Sequence, residues 1–191
     1  MIRNIIYAIL TSKISKSIFK LNDRINAILY ERIGEFRSIY YRSIYYKCIL
    51  GACGNNLTVY GKPRIFQPQK IFIGNNYTIN NGAQISPRGK VFIGDNVTMS
   101  RGSQITAGSL DTTDWVDNEN AGNWLKNKHV AKDVHIADGT WLCVNSIVLP
   151  GVNISGKGVI VSAGAVVTKD IVEDFVVVGG VPAKIVKKLK N

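Results

Sequence analysis

Two stretches of this chain are near copies of each other. Residues 70–85 (KIFIGNNYTINNGAQI) and 90–105 (KVFIGDNVTMSRGSQI) are identical at nine of sixteen positions, at a spacing of 20 residues. A unit this short cannot bury its own apolar side chains, so each copy must stack on its neighbour, which makes the chain a solenoid. Within the copies an aliphatic recurs every six residues: Ile73, Ile79 and Ile85, then Ile93, Met99 and Ile105. The rhythm returns at Ile136, Leu142, Val148 and Ile154, slips by about one residue between 155 and 161, and continues through Val167. Four places after these aliphatics stand small or β-branched residues: Ala83, Val97, Ser103, Thr140, Ser146 and Val152. Two inward side chains per six residues, with Gly and Asn between, describe short strands joined by tight turns. Three strands make one coil.

The step from Ile105 to Ile136 breaks the rhythm, and the spacing places a loop over residues 110–133 at one corner of the prism. Its sequence, SLDTTDWVDNENAGNWLKNKH from 109 to 129, is rich in Asp, Asn and Thr and carries Trp115 and Trp124. Long loops in compact domains are uncommon, and two tryptophans argue that this one packs against something, which favours a functional role.

The chain has 191 residues and a formal net charge of +11, unevenly placed: +6 in residues 1–50, +1 in 51–179 and +4 in 180–191. Zinc-finger spacing, a basic region with heptads and the aromatic signature of an RNA-binding sheet are all lacking, so the charge does not point to nucleic acid. Three cysteines, Cys48, Cys53 and Cys143, without a C-x-x-C pair fit a reducing compartment better than a disulfide framework. No apolar stretch approaches the ~18 residues of a spanning helix, and no cleavage site follows the short apolar run at 5–10. A cytoplasmic protein is expected, with a peripheral contact to the inner face of a membrane as an option for its basic arm.

That arm is residues 1–50. Ile2, Ile5, Ile9, Ile14, Ile18, Leu21, Ile25 and Ile28 recur at three- to five-residue steps with Lys and Arg between them, an amphipathic helical pattern. Residues 37–47 read RSIYYRSIYYK, a composition suited either to a membrane interface or to packing on the rest of the protein or another subunit. At the other end, after a solenoid spanning 51–178, residues 179–191 (GGVPAKIVKKLKN) predict a short lysine-decorated helix that caps the open coil.

From residue 133 onward the ordered series L-P-G-V (149–152), A-G-A-V-V-T-K-D (163–170) and G-G-V-P-A-K (179–184) resembles the left-handed parallel β-helix acyltransferases, the hexapeptide-repeat family, and in particular acetyltransferases acting on sugars and polysaccharides. The resemblance covers about residues 55–191. It implies a homotrimer of prisms with acetyl-CoA between neighbouring subunits, a carbohydrate acceptor, and cofactor contacts at Val144, Ala163, Gly164, Thr168, Lys169, Lys184 and Lys187. Narrow residues such as Ala163 and Gly164 let a pantetheine arm run along the backbone, and lysines neutralise phosphates.

Transfer of an acetyl group to a hydroxyl needs a base, and histidine is the usual choice. The family's histidine commonly lies in a Gly-Ser-His-Asp sequence; here Gly108-Ser109-Leu110-Asp111 puts Leu110 in its place. Only His129, at the far end of the inserted loop, and His135 remain as candidates, with Asp111, Asp114 or Asp133 available to orient an imidazole. Two histidines do not supply the three-histidine zinc set of the solenoid carbonic anhydrases, so no metal is expected. Cys143, in a strand beside Trp141, reads as a core or groove-lining thiol. The expected activity is O-acetylation of a sugar hydroxyl; the alternatives are a sugar-nucleotide N-acetyltransferase and an inactive solenoid that binds or scaffolds.

Overall fold

The computed structural model describes residues 35–189. Most of the 1–50 arm, including its isoleucine stripe, lies outside the described residues. The rest is a parallel β-solenoid of triangular section. Its first face carries the strands Ala52–Cys53, Ile71–Ile73, Val91–Ile93, Val134–Ile136 and Asn153–Ile154, extended by a single bridge from Ile154 to Ile171. The second face runs Thr58–Val59, Thr78–Ile79, Thr98–Met99, Trp141–Leu142, Ile160–Val161 and Val176–Gly179, and the third Arg64–Ile65, Gln84–Ser86, Gln104–Thr106, Ile147–Val148 and Val166–Val167.

Register follows the repeat residue by residue. Ile71 pairs with Val91, Thr78 with Thr98 and Gln84 with Gln104, each 20 apart. Every residue of the six-residue rhythm points inward and is buried, and so are the small residues four places on: Ala83, Val97, Ser103, Thr140, Ser146 and Val152. The buried hydroxyls are satisfied locally, Ser103 by Ser100 O, Thr140 by Ala137 O and Ser146 by Cys143 O, each at 2.8 Å, which explains why polar side chains are tolerated in the column. Past Ile136 the coils shorten. His135 pairs with Asn153, 18 residues on, whereas Trp141 pairs with Ile160, 19 on, so the slip falls in the turn at 155–159.

One corner shows why asparagine recurs in this sequence. Asn56, Asn76 and Asn96, each followed by Gly139, Gly158 and Phe175 at the same corner of later coils, have φ between 53° and 71°. Asparagine tolerates this left-handed region better than other side chains with a Cβ. Its amide also stacks: Asn56 Nδ2 donates to Asn76 Oδ1 and Asn76 Nδ2 to Asn96 Oδ1, both at 2.9 Å.

The two ends are closed differently. Helix α1 (Glu35–Ile49) covers the first coil: Ser43 Oγ accepts from Val59 N at 3.1 Å, Arg42 Nε donates to Val59 O at 3.4 Å, Tyr46 Oη donates to Pro63 O at 3.3 Å, and Ile49 and Leu50 are buried. Its other side leaves Tyr40 and Tyr41 more than 60% exposed. The C-terminal end departs from the sequence expectation. Residues 184–188 are an extended strand, not a helix, and run antiparallel to Val176–Gly179 after a turn at Gly180 (φ 94°). The reason is the open edge: Val176–Gly179 would otherwise present unpaired backbone groups, and Ile185 and Val186 favour a strand. Ala183 N bonds Val166 O at 2.8 Å, Lys188 pairs with Glu173, and the segment occupies the open edge of the last strand.

The Asn corner gives a graded prediction. Asn76→Ala removes two amide bonds and places a side chain in the left-handed region, for an expected loss of about 1–2 kcal/mol. Asn76→Gly keeps the backbone comfortable and should lose clearly less, measured by urea unfolding of both variants.

Candidate functional site

The insertion leaves the prism at the corner between third and first faces. Val134 pairs with Val91 at a spacing of 43 instead of 20, so 23 residues are added without disturbing the stack. They do not leave as an open loop. Residues Gly108–Leu110 and His129–Ala131 form an antiparallel ribbon with Leu110 opposite His129, so the expected loop 110–133 begins in strand and returns through a second strand two residues before its end. Backbone bonds from Asp111 N to Lys128 O (2.8 Å) and from Lys132 N to Ala107 O (3.1 Å) bracket that pair. Leu110 and His129 therefore form a non-hydrogen-bonded pair, whose side chains share one face of the ribbon. Gly108 is required here because a Cβ would stand 2.4 Å from Arg88 Cβ.

The ribbon lines a cleft of ≈ 570 Å³ that includes Asp111, Thr113, Lys128, His129 and Lys132. Its carboxylate does not orient the imidazole. Asp111 Oδ1 accepts from Thr113 Oγ1 at 2.7 Å and Thr113 N at 3.0 Å, and Oδ2 faces Lys128 Nζ at 3.4 Å. The Thr113 bonds, helped by Lys128, hold the Asp111 carboxyl below the usual carboxylate range. Asp133 accepts from Lys90 N at 2.7 Å and is equally engaged elsewhere. The partner of His129 is a carbonyl: Nε2 donates to Trp124 O at 2.9 Å, and the Trp124 ring meets the imidazole edge-on with centroids 4.4 Å apart. The Arg88 guanidinium lies 5.9 Å from the Trp124 ring centre.

His135 lies elsewhere. It stands on the first face, stacked on Phe92 (4.7 Å, 13°), which stacks on Phe72 (5.1 Å, 17°), beside a separate shallow cleft of ≈ 460 Å³. The structure thus separates the two histidines. His129 shares its cleft with Asp111; His135 continues an aromatic ladder.

The cofactor candidates frame the last two levels of the third face. Val144, Ala163 and Gly164 sit at its corner with the second face, where Gly164 N bonds Val144 O at 3.0 Å. Gly164 has φ 69°, and nothing lies within 4 Å of the place a Cβ would occupy, so the backbone is open to a thin ligand. Thr168 and Lys169 lie at the opposite corner, the one from which the ribbon emerges two levels earlier, or about 10 Å at ordinary strand spacing. The C-terminal turn folds against this face through Val166, bringing Lys184 beside it, while Lys187 pairs with Val177 on the second face. All seven are exposed. Burial pushes the Cys143 thiol up, away from thiolate chemistry. Among the described residues no group of three His, Cys, Asp or Glu could hold a metal ion, and no helix is long and apolar enough to cross a membrane.

Sequence reasoning missed Trp124 O and Asn127. Asn127 is buried and ties the loop together, and the run of Asn118, Asn120, Asn123 and Asn127 was its only visible signal.

No family model matches the chain. A provisionally named acetyltransferase of Schizosaccharomyces pombe is 48% identical over 58 residues, 30% of this chain and 27% of that protein. The galactoside O-acetyltransferase of Lactococcus lactis is 45% identical over 60 residues, 31% of this chain and 28% of it. The aligned region thus spans less than a third of these curated relatives. Among solved structures, a hexapeptide-repeat acetyltransferase of Vibrio cholerae complexed with acetyl-CoA superposes with a TM-score of 0.70, at 23% identity and covering 95% of this chain and 92% of that one. A maltose O-acetyltransferase of Clostridium difficile gives 0.71 at 23%, covering 95% and 91%. An N-acyltransferase of Bacillus cereus gives 0.58 at 22%, covering 78% and 89%.

Asp111 makes the ribbon acid-sensitive in a stated direction. Because its carboxyl titrates lower when folded, its contribution is complete above about pH 4 and is lost as pH falls through the lowered native value. Emission from Trp115 and Trp124 should report loosening on acidification, and Asp111→Asn should abolish that transition. Through its solenoid and long-range superposition, this chain has the fold of the hexapeptide-repeat acetyltransferases.

Proposed function

We propose that this protein is an acetyl-CoA-dependent O-acetyltransferase that modifies a sugar hydroxyl of a polysaccharide or glycoconjugate precursor, with His129 as general base. The observation that carries this reading is the cross-strand pairing of Leu110 with His129. His129 faces Leu110, the position where the motif of the resembled family carries its histidine, and this supports reading the opposite strand as the source of the base.

The residues fit the donor. Acetyl-CoA supplies an activated acetyl thioester. The open backbone at Ala163 and Gly164 accommodates a narrow chain, and Lys184 and Lys187 offer cations for phosphates. His129 takes the proton of the acceptor hydroxyl and returns it to the departing thiolate. Thr168 and Lys169, on the ribbon's own corner, line the approach between donor and base.

We assign His135 a structural place in the Phe72–Phe92 ladder. A sugar hydroxyl is favoured over an amine by the 45% identity over 60 residues to a galactoside O-acetyltransferase. Assembly as a homotrimer is part of the reading, with a neighbouring copy closing the exposed third face over the donor. The exposed side of α1, with Tyr40, Tyr41 and Ile44 near Arg42 and Lys47, supports a peripheral contact with an anionic membrane carrying the acceptor.

Release of free CoA thiol from acetyl-CoA with sugar acceptors tests the assignment. His129→Gln should lower turnover at least about 100-fold, and His135→Gln should stay within a few-fold of wild type. Lys184→Glu should raise KM for acetyl-CoA with kcat little changed. Full turnover by His129→Gln overturns the base assignment, and binding of acetyl-CoA without any transfer favours the scaffold reading.

A further inference from the structure

The segment next to the His129 imidazole is organised by one side chain. Asn127 is 5% exposed, and both of its polar atoms are engaged. Nδ2 donates to the carbonyls of Asn120 and Asn123, the latter at 2.8 Å, and Oδ1 accepts from Asn118 Nδ2 at 2.7 Å. Asn127 N also bonds Asn123 O at 3.0 Å. A buried amide with its donors and acceptor filled ties four points of residues 118–127 into one unit. Trp124 lies inside that unit.

The Trp124 carbonyl receives His129 Nε2 at 2.9 Å. A carbonyl has no hydrogen to give, so Nε2 carries the proton, and the neutral ring bears its lone pair on Nδ1. Nδ1 has less than 1 Å² of accessible surface and no hydrogen-bond partner among the described residues. The carboxylate that could have competed for the ring, Asp111, is held by Thr113 and Lys128.

We propose that Asn127 is a positioning residue for proton transfer: it holds the Trp124 carbonyl on His129 Nε2, so that Nδ1 is the nitrogen that accepts the hydroxyl's proton. This rests on the reading of His129 as the base. As the acceptor O–H bond breaks, its proton passes to Nδ1 and its electron pair forms the bond to the acetyl carbon; the C–S bond breaks, and the thiolate takes the proton back from Nδ1. During this exchange the ring is an imidazolium, and its Nε2–H bond to Trp124 O becomes charge-assisted, which stabilises the cation without a carboxylate. The acceptor displaces part of the cover over Nδ1 to reach it, while the backbone held by Asn127 stays in place.

The experiment is 1H–15N spectroscopy of the histidine side chains in the full chain, with steady-state kinetics alongside. Wild type should show a protected His129 Nε2–H resonance and an unprotonated Nδ1. In Asn127→Ala that resonance should be lost to solvent exchange, with kcat reduced about tenfold and KM for acetyl-CoA within about twofold. If Asn127→Ala does not fold, Asn118→Ala, which removes one bond to the same amide, should show the same change in smaller degree. A proton on Nδ1 in wild type, or an unchanged Nε2–H resonance and kcat in a folded Asn127 variant, overturns the proposal. Failure of the base assignment reads differently: His129→Gln would then turn over normally whatever the spectrum of the wild-type ring.

Discussion

Every feature of this molecule depends on vertical register between coils. Each inward aliphatic sits on its counterpart one level away, Ile71 on Val91, Ile79 on Met99, Leu142 on Val161, and no level encloses a core by itself. The side-chain alternation of a strand makes this register unforgiving: a slip of one residue would turn a buried column outward. Extra residues are therefore confined to the corners, and they must return the chain to the same level. An antiparallel ribbon satisfies that condition with its own hydrogen bonds, which is why the 23-residue insertion leaves as Gly108–Leu110 and comes back as His129–Ala131.

That constraint is also what makes the candidate site. A chain segment that departs and returns at one corner brings residues 19 positions apart into a cross-strand pair, and Leu110 and His129 are the pair produced. The rigid prism fixes the base of the ribbon through the Ala107 and Lys132 backbone, and the Asn127 amide fixes the far part. Between them the imidazole has little freedom, and its hydrogen-bond partner is chosen by loop geometry rather than by a second charged side chain.

The column, the corner of the insertion and the inward small residues were legible in the sequence because each is written as a period. What carries no period was not. Residues 179–191 look helical by local signs, with Pro182 after two glycines and lysines at helical steps, but the unpaired edge of Val176–Gly179 is a tertiary demand that local signs do not contain. The carboxylate expected beside His129 was reasonable chemistry, yet the atom found there is a backbone oxygen, which any residue at position 124 could supply. Residue type alone makes His129 a candidate; that it faces Leu110 follows only from the ribbon register.

Charge is distributed in keeping with this division of labour. The prism is held by uncharged groups, aliphatics inside and asparagine amides at a corner, so it can be nearly neutral without loss. The carboxylates that do belong to it are used as acceptors for backbone N–H groups of the neighbouring level, as Asp95 is for Asn75, Asp138 for Asp95, Asp133 for Lys90 and Asp170 for Asn153. Between 51 and 179, Lys128 makes an ion pair with a carboxylate, that of Asp111 in the ribbon rather than in the prism. Positive charge collects where the stack ends, on α1 and on the terminal strand, where Lys188 pairs with Glu173 and both Lys184, next to the third face, and Lys187, on the second face, are exposed. Under the proposed reading, this basic excess at the rim of an open backbone surface is what meets the phosphates of the donor.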